Sequence, residues 1–237
     1  MKKIIGLLLL SFIFNTADSQ VLIAILFGDK LNTGKMEFGI TVNPIFTNIT
    51  GVDGDYRNGL ALGIYFNFKL TEKFFIHVDG IAKGAFGEEH IATYQTGMDT
   101  VDRLFANGNY ERKIKAFSLP VLARYALSKK LFLDAGIRAD WMLKSKDIFK
   151  TTLYDNDLEY TMIISDQITK LDFGLTGGVH YKFTNTKTSM GLGLRYFYGM
   201  TDIIKTTPGV QANSAWEIVV TIPIGASSKT NSSSSQQ

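Results

Sequence analysis

Gly59-Leu60-Ala61-Leu62-Gly63-Ile64-Tyr65-Phe66-Asn67-Phe68-Lys69-Leu70 decides the fold. Leu60, Leu62, Ile64, Phe66, Phe68 and Leu70 share one parity. Gly59, Ala61, Gly63, Tyr65, Asn67 and Lys69 share the other. Side chains of an extended chain alternate between two faces. A two-residue period held from 59 to 70 is therefore a strand with one apolar and one mixed face.

The alternation recurs downstream. Leu131, Leu133, Ala135, Ile137, Ala139, Trp141 and Leu143 oppose Phe132, Asp134, Gly136, Arg138, Asp140 and Met142. Leu171, Phe173, Leu175, Gly177, Val179, Tyr181 and Phe183 oppose Asp172, Gly174, Thr176, Gly178, His180 and Lys182. Further copies begin at Met190 and Trp216, and weaker ones at Met36, Phe74 and Phe117, giving eight segments. Residues 71–73, 128–130 and 185–186 read as tight turns, whereas 47–58, 85–112, 145–170 and 201–214 read as long polar loops. Short turns on one rim and long loops on the other predict an all-β protein, an eight-stranded antiparallel up-and-down transmembrane β-barrel.

A soluble lipocalin-like barrel has the same period with its apolar face turned inward. Volume argues against it here. Leu, Ile, Phe, Tyr and Trp fill nearly every position of the apolar face, more bulk than an eight-strand lumen holds. The aromatic residues fall at two levels. Phe38, Phe66, Phe68, Phe74, Tyr125, Tyr181 and Phe183 lie near the short-turn rim; Trp141, Tyr196, Tyr198 and Trp216 lie near the long-loop rim. Two girdles are expected where a barrel crosses two membrane interfaces. Closure also removes strand edges that lipid cannot satisfy.

The turn at 128–130 sets a register. It pairs Leu127 with Leu131 and Tyr125 with Leu133, so Arg124 is expected opposite Asp134 as a lumenal ion pair. Glu37, His77, Asp79, Arg138, Asp140, Asp172, His180, Lys182, Arg195 and Glu217 are also expected to face inward. Charges of both signs in a low-dielectric lumen are least costly when they neutralise one another. That favours a plugged interior; a narrow polar pore is the alternative. Pro120 lies mid-strand, where a ladder donor is missing, and predicts a bulge or bend.

The N-terminus reads as an address. Met1-Lys2-Lys3 precedes an apolar run at 4–14, followed by Ala17 and Ser19 at the positions of a small-x-small cleavage site. This predicts a cleavable signal peptide over 1–19, a lead-in with a possible short helix over 20–34, a barrel over 35–225 and a disordered Ser-rich tail over 226–237. The apolar run is too short to span a bilayer, which takes roughly 20 residues.

Composition excludes several functions. Net charge is +3, or +2 without Lys2, Lys3 and Asp18, too little and too evenly spread for a nucleic-acid partner. With no cysteine there is no disulfide scaffold, thiol catalyst or Cys-ligated metal. His77, His90 and His180 are the only histidines, and no His-x-x-x-His or Gly-x-Ser-x-Gly pattern occurs. Ser118 faces the lumen without an evident His partner. Asp155-Asn156-Asp157-Leu158-Glu159 places oxygen ligands at alternate positions but lacks the glycine of a calcium loop. No catalytic, cofactor or metal site is expected.

Phe117-Ser118-Leu119-Pro120-Val121-Leu122-Ala123-Arg124-Tyr125 resembles the PorT-like outer-membrane β-barrel family of Gram-negative bacteria. Its members often carry an apolar-Pro-apolar run ending in a basic residue and Tyr. Asp134, Ala135 and Gly136, the run from Leu192 to Ile203, and Leu26 to Asn32 are similar to other strands and to the lead-in of that family. The resemblance implies an eight-stranded outer-membrane barrel without assigned catalytic residues. The expected partners are outer-membrane lipid and an envelope or secretion protein. The namesake's secretion role does not carry over. A non-enzymatic binding or docking barrel is the leading expectation, with a lipid-modifying enzyme or a narrow channel as alternatives.

Overall fold

The computed structural model describes residues 35–186, 189–206 and 209–224. The expected signal peptide, the lead-in and the tail lie outside them. Nine strands and one short helix follow in order: β1 (Met36–Thr50), β2 (Asp55–Lys69), β3 (Phe74–Ala92), α1 (Asp99–Leu104), β4 (Asn109–Ala126), β5 (Leu131–Leu153), β6 (Asn156–Ile163), β7 (Leu171–Lys182), β8 (Gly191–Gly199) and β9 (Ala212–Pro223). Eight of them close a ring, β1-β2-β3-β4-β5-β7-β8-β9, with every neighbouring pair antiparallel. No described helix is long and apolar enough to cross a membrane.

Two tight turns are built alike. Thr71 Oγ1 accepts the Phe74 N–H at 3.0 Å, and Ser128 Oγ accepts the Leu131 N–H at 3.1 Å. A hydroxyl thus takes up the backbone donor at each hairpin end, as Ser and Thr commonly do in turns. The third connection is longer than the sequence suggests, and Phe183 N to Met190 O at 3.1 Å joins its ends.

Three of the expected long loops are partly strand. The β1–β2 connection shrinks to 51–54, β3 runs on to Ala92, and β4 begins at Asn109. β5 continues to Leu153 and turns through Tyr154 and Asp155, both at positive φ, into β6. β5 therefore pairs with β7 over its first half and with β6 over its second. β3 to β6 form a four-stranded leaf that rises beyond the ring. Its strands escaped the sequence reading because beyond the bilayer the outer face turns polar, with Glu111, Lys113 and Lys115, while the inner face mixes Tyr110 and Ile114 with Arg112, so the ring's pattern of an apolar outer row does not continue.

Pro120 makes no bulge. β4 holds its register past it, with Val121 on Val78 and Ser118 on Ile81, and only the bridges opposite Leu119 and Pro120 are missing. Pro44 marks a similar gap in the β1–β9 ladder. Each proline withholds one donor without shifting its strand. The register shifts fall elsewhere, on β2 between Tyr56 and Gly63, on β3 between Ile81 and Gly84 and between Glu88 and Ile91, and on β4 between Ile114 and Ala116.

The outward rows are apolar and exposed: Ile137 at 62 %, Trp141 at 61 % and Leu175 at 56 %. The inward rows are buried. Two inner-face glycines make room for bulk. A Cβ on Gly39 would come 2.6 Å from the Tyr65 ring, and one on Gly174 2.6 Å from the Phe197 ring. Ile137 lies midway along the exposed run of β5. Ile137→Arg is therefore expected to cost about 2–4 kcal/mol of folding free energy in a bilayer, and Leu131→Arg at the rim about 1 kcal/mol or less. Equilibrium unfolding in vesicles measures both.

Candidate functional site

The lumen is the most built part of the molecule. Near the short-turn rim, Arg124 on β4 meets Asp134 on β5 in a bidentate pair, Nε to Oδ1 and Nη2 to Oδ2 both at 2.7 Å. The guanidinium also lies over the Phe132 ring at 5.7 Å. Lys182 bonds Glu37, whose other oxygen accepts from the Tyr65 hydroxyl at 3.0 Å. His77 stacks on Tyr65, with its Nε2 2.8 Å from Asp79 Oδ1 but not aligned for a hydrogen bond. His180 Nε2 faces the Thr221 hydroxyl at 3.3 Å.

A single chain of charges crosses the middle of the bore. Asp79 accepts from Arg195 at 2.6 Å. Arg195 stands 3.7 Å from Glu217, Glu217 bonds Arg138, and Arg138 reaches Asp140 at 2.9 Å and Ser118 Oγ at 2.9 Å. These groups come from β3, β8, β9, β5 and β4, and all are buried. Asp172 is matched differently. It sits opposite Asp140 in the β5–β7 ladder and accepts from Asn213 Nδ2 at 2.8 Å. Parity places a residue on the inner face; the pairs across the bore depend on the barrel's cross-section, which local spacing does not encode.

Above this layer the lumen turns apolar. Phe86 and Phe197 pack at 5.7 Å, and the Arg138 guanidinium lies 4.9 Å and 4.6 Å from their centroids. Ile49, Ile114, Met142, Ile164, Ile168, Ile203 and Ile204 complete a buried cluster with them. A second cluster, of Ile91, Phe105, Tyr110 and Phe149, lies between the leaf and α1. β3 leans across toward β1 at this level: Thr47 Oγ1 donates to Gly87 O at 2.9 Å, and Glu88 Oε2 accepts the Ile49 N–H at 3.1 Å. Behind it Arg112 forks onto Asp147 at 2.8 and 2.6 Å, with the Tyr94 hydroxyl donating to Asp147 at 2.9 Å. Phe86, Phe149, Arg112 and Asp147 all fall in stretches that the sequence presents as loop.

Most of the expected girdle residues lie on the outer wall. Phe68, Phe74, Tyr181, Phe183, Trp141, Tyr198 and Trp216 are exposed, while Phe66, Tyr125 and Tyr196 are half-buried. Phe74 packs on Tyr125 at 4.9 Å and Tyr196 on Trp216 at 4.7 Å. Phe38 is the correction. It is paired with Phe66 on the outward row of β1 and β2, packs on that ring at 4.9 Å and is only 1 % exposed, so it is covered there and is no exposed girdle member.

Nucleophile and base do not meet. His77 pairs with Leu122, four residues along β4 from Ser118, an offset of about 13 Å along the strand. Ser118 is occupied by Arg138. Among the described residues no group of three or more His, Asp or Glu is placed to hold a metal. The Asp155–Glu159 segment forms the exposed β5–β6 turn and the start of β6, where Thr152 Oγ1 donates to Asp157 at 2.8 Å.

Residues 23–205 match the family described as outer membrane protein beta-barrel domain. The chain belongs to that family. It is thus an outer-membrane barrel of Gram-negative type, with lipid against its outer wall. No curated protein matches it. Several solved outer-membrane proteins are similar in fold. Ail of Yersinia pestis is 10 % identical, with 80 % of this chain and 99 % of that one covered and a TM-score of 0.45. Neisserial surface protein A is 12 % identical, with 79 % and 96 % covered and a TM-score of 0.38. OprG of Pseudomonas aeruginosa is 13 % identical, with 79 % and 91 % covered and a TM-score of 0.38.

Two outcomes follow from the site. Arg124→Ala leaves Asp134 charged and alone, and is expected to cost about 3–5 kcal/mol, whereas Arg124→Met with Asp134→Leu recovers most of that loss. Denaturant titration of the three proteins measures it. At the mouth, burial, with Asp53 adding to it, raises the Glu88 carboxyl from its ordinary 4.5 to about 7. The folded state thus favours protonated Glu88. Its contribution is full below pH 4.5 and is lost as pH rises through about 7. The unfolding midpoint should fall across that window, and Glu88→Gln should flatten the fall.

Proposed function

We propose that this protein is a non-enzymatic, non-conducting outer-membrane barrel whose projecting leaf, β3 to β6, docks an envelope or secretion partner. The observation that carries this reading is closure of the bore at two successive levels. A continuous ion-pair chain from Asp79 to Ser118 fills the middle, and the Phe86–Phe197 cluster covers it. Solutes meet first an apolar plug and then acids and bases already bonded to one another.

The leaf supplies a surface suited to a partner. It stands on a rigid ring, and among the described residues β6 is paired along one edge only, by β5. Sites on a stiff scaffold that project beyond it are common places for recognition. The resemblance of the 117–125 run to PorT-like barrels supports the same direction, toward a partner protein in the envelope and away from a substrate. Against a lipid-modifying enzyme stands the separation of Ser118 from His77.

Planar-bilayer recording separates docking scaffold from channel. The wild type should be silent, and Phe86→Ala with Phe197→Ala should produce openings. Steady wild-type conductance would refute the closed bore. Removing the leaf beyond Lys146 and Lys113 should abolish partner crosslinking while the ring still inserts. Retention of every crosslink after that deletion counts against the docking role.

A further inference from the structure

Beyond the aromatic level of the long-loop rim, the outer wall of β3, β4 and β5 carries lysines close together. Lys113 on β4 is directly opposite Lys146 on β5. Lys115 lies two residues nearer the ring on β4, Lys144 stands at the register shift on β5, and Lys83 adds a fifth on β3. Like charges placed opposite each other across a ladder are destabilising. No ion pair among the described residues relieves these five. The nearby Glu111 is already shared by Arg57 at 2.9 Å and Lys150 at 3.1 Å. Burial and the positive charges of Arg57, Lys146 and Lys115 hold the Lys113 ammonium below its ordinary lysine value, with Glu111 opposing them.

The height of the patch is as telling as its charge. Phe117 pairs with Trp141 at the edge of the exposed apolar belt, and Leu143 is its last outward apolar residue on β5. Lys115 and Lys113 follow Phe117 by two and four residues, roughly 7 and 13 Å along a tilted strand. The ammonium groups therefore stand in the headgroup zone, facing lipid and not the lumen. By the rule that short turns face the periplasm, this is the outer leaflet.

We propose that Lys83, Lys113, Lys115, Lys144 and Lys146 form a binding site for the phosphate groups of an outer-leaflet glycolipid. The anion is the component that an unrelieved cluster of cations at headgroup height lacks. Anchored acyl chains would lie along the outward rows of β4 and β5, where Leu119, Val121, Leu133 and Ile137 are exposed.

The test uses the full barrel in phosphatidylcholine nanodiscs, with bisphosphorylated lipid A, dephosphorylated lipid A or inorganic phosphate as probe. Bound lipid is counted by native mass spectrometry, and unfolding midpoints are read in parallel. Bisphosphorylated lipid A should bind saturably and raise the midpoint. The variant with Lys113→Gln, Lys115→Gln, Lys144→Gln and Lys146→Gln should bind it at least about ten-fold more weakly. Without lipid its midpoint should equal or exceed that of wild type, since repulsion is removed. Lys73→Gln with Lys129→Gln, at the opposite rim, should bind like wild type. Equal binding by the fourfold variant, equal loss in the opposite-rim variant, or equal binding of dephosphorylated lipid A overturns the proposal. So does an equal midpoint shift with inorganic phosphate, which would mean a free-anion site. Should the fourfold variant fail to insert, Lys146→Gln alone and the wild type's discrimination between the two lipids decide the matter.

Discussion

Hydrocarbon gives a backbone N–H or C=O nothing to bond, and everything else in this molecule depends on that. β9 must return to β1, and it does so over most of their length. Once the ring closes, each strand has an inside and an outside at fixed parity. Apolar rows then face lipid, and whatever remains faces a bore too narrow for water to solvate it freely. The prolines show how tightly closure is held: at Pro44 and Pro120 two neighbouring bridges are lost and the register is not.

The interior follows from the same restriction. Isolated charge in so dry a space is costly, so acids and bases interlock. Arg138 is central, touching Asp140, Glu217 and Ser118 while its flat face lies against Phe86 and Phe197. One guanidinium thus joins the polar layer to the apolar cover. Such a filling makes a stiff post rather than a conduit, and stiffness is what a projecting leaf needs.

How much of this could be read from the sequence depended on solvent. Within the bilayer the two faces of each strand meet different media, so alternation is strong and turn length alone puts Arg124 opposite Asp134. Beyond it, the leaf meets water on its outer face, Lys and Glu interleave with apolar residues, and the strands look like loop. Register shifts near Ile81, Gly84 and Ala116 then break the parity count. Pairs such as Arg195 with Asp79 join residues 116 apart. Only the ring's diameter and stagger bring them together. Phe38 shows a further limit: parity gives a side, and packing decides whether that side is exposed.

The absence of cysteine makes the central claim directly measurable. A single cysteine placed in turn at each position from 131 to 143 can carry a nitroxide in a reconstituted bilayer. Collisions with oxygen report lipid, and collisions with a nickel chelate report water. Oxygen access should peak at 131, 133, 135, 137, 139, 141 and 143 and vanish between them, with the chelate excluded throughout. Chelate access at the odd positions, or oxygen access without a two-residue period, would contradict a wall that turns its apolar rows to lipid.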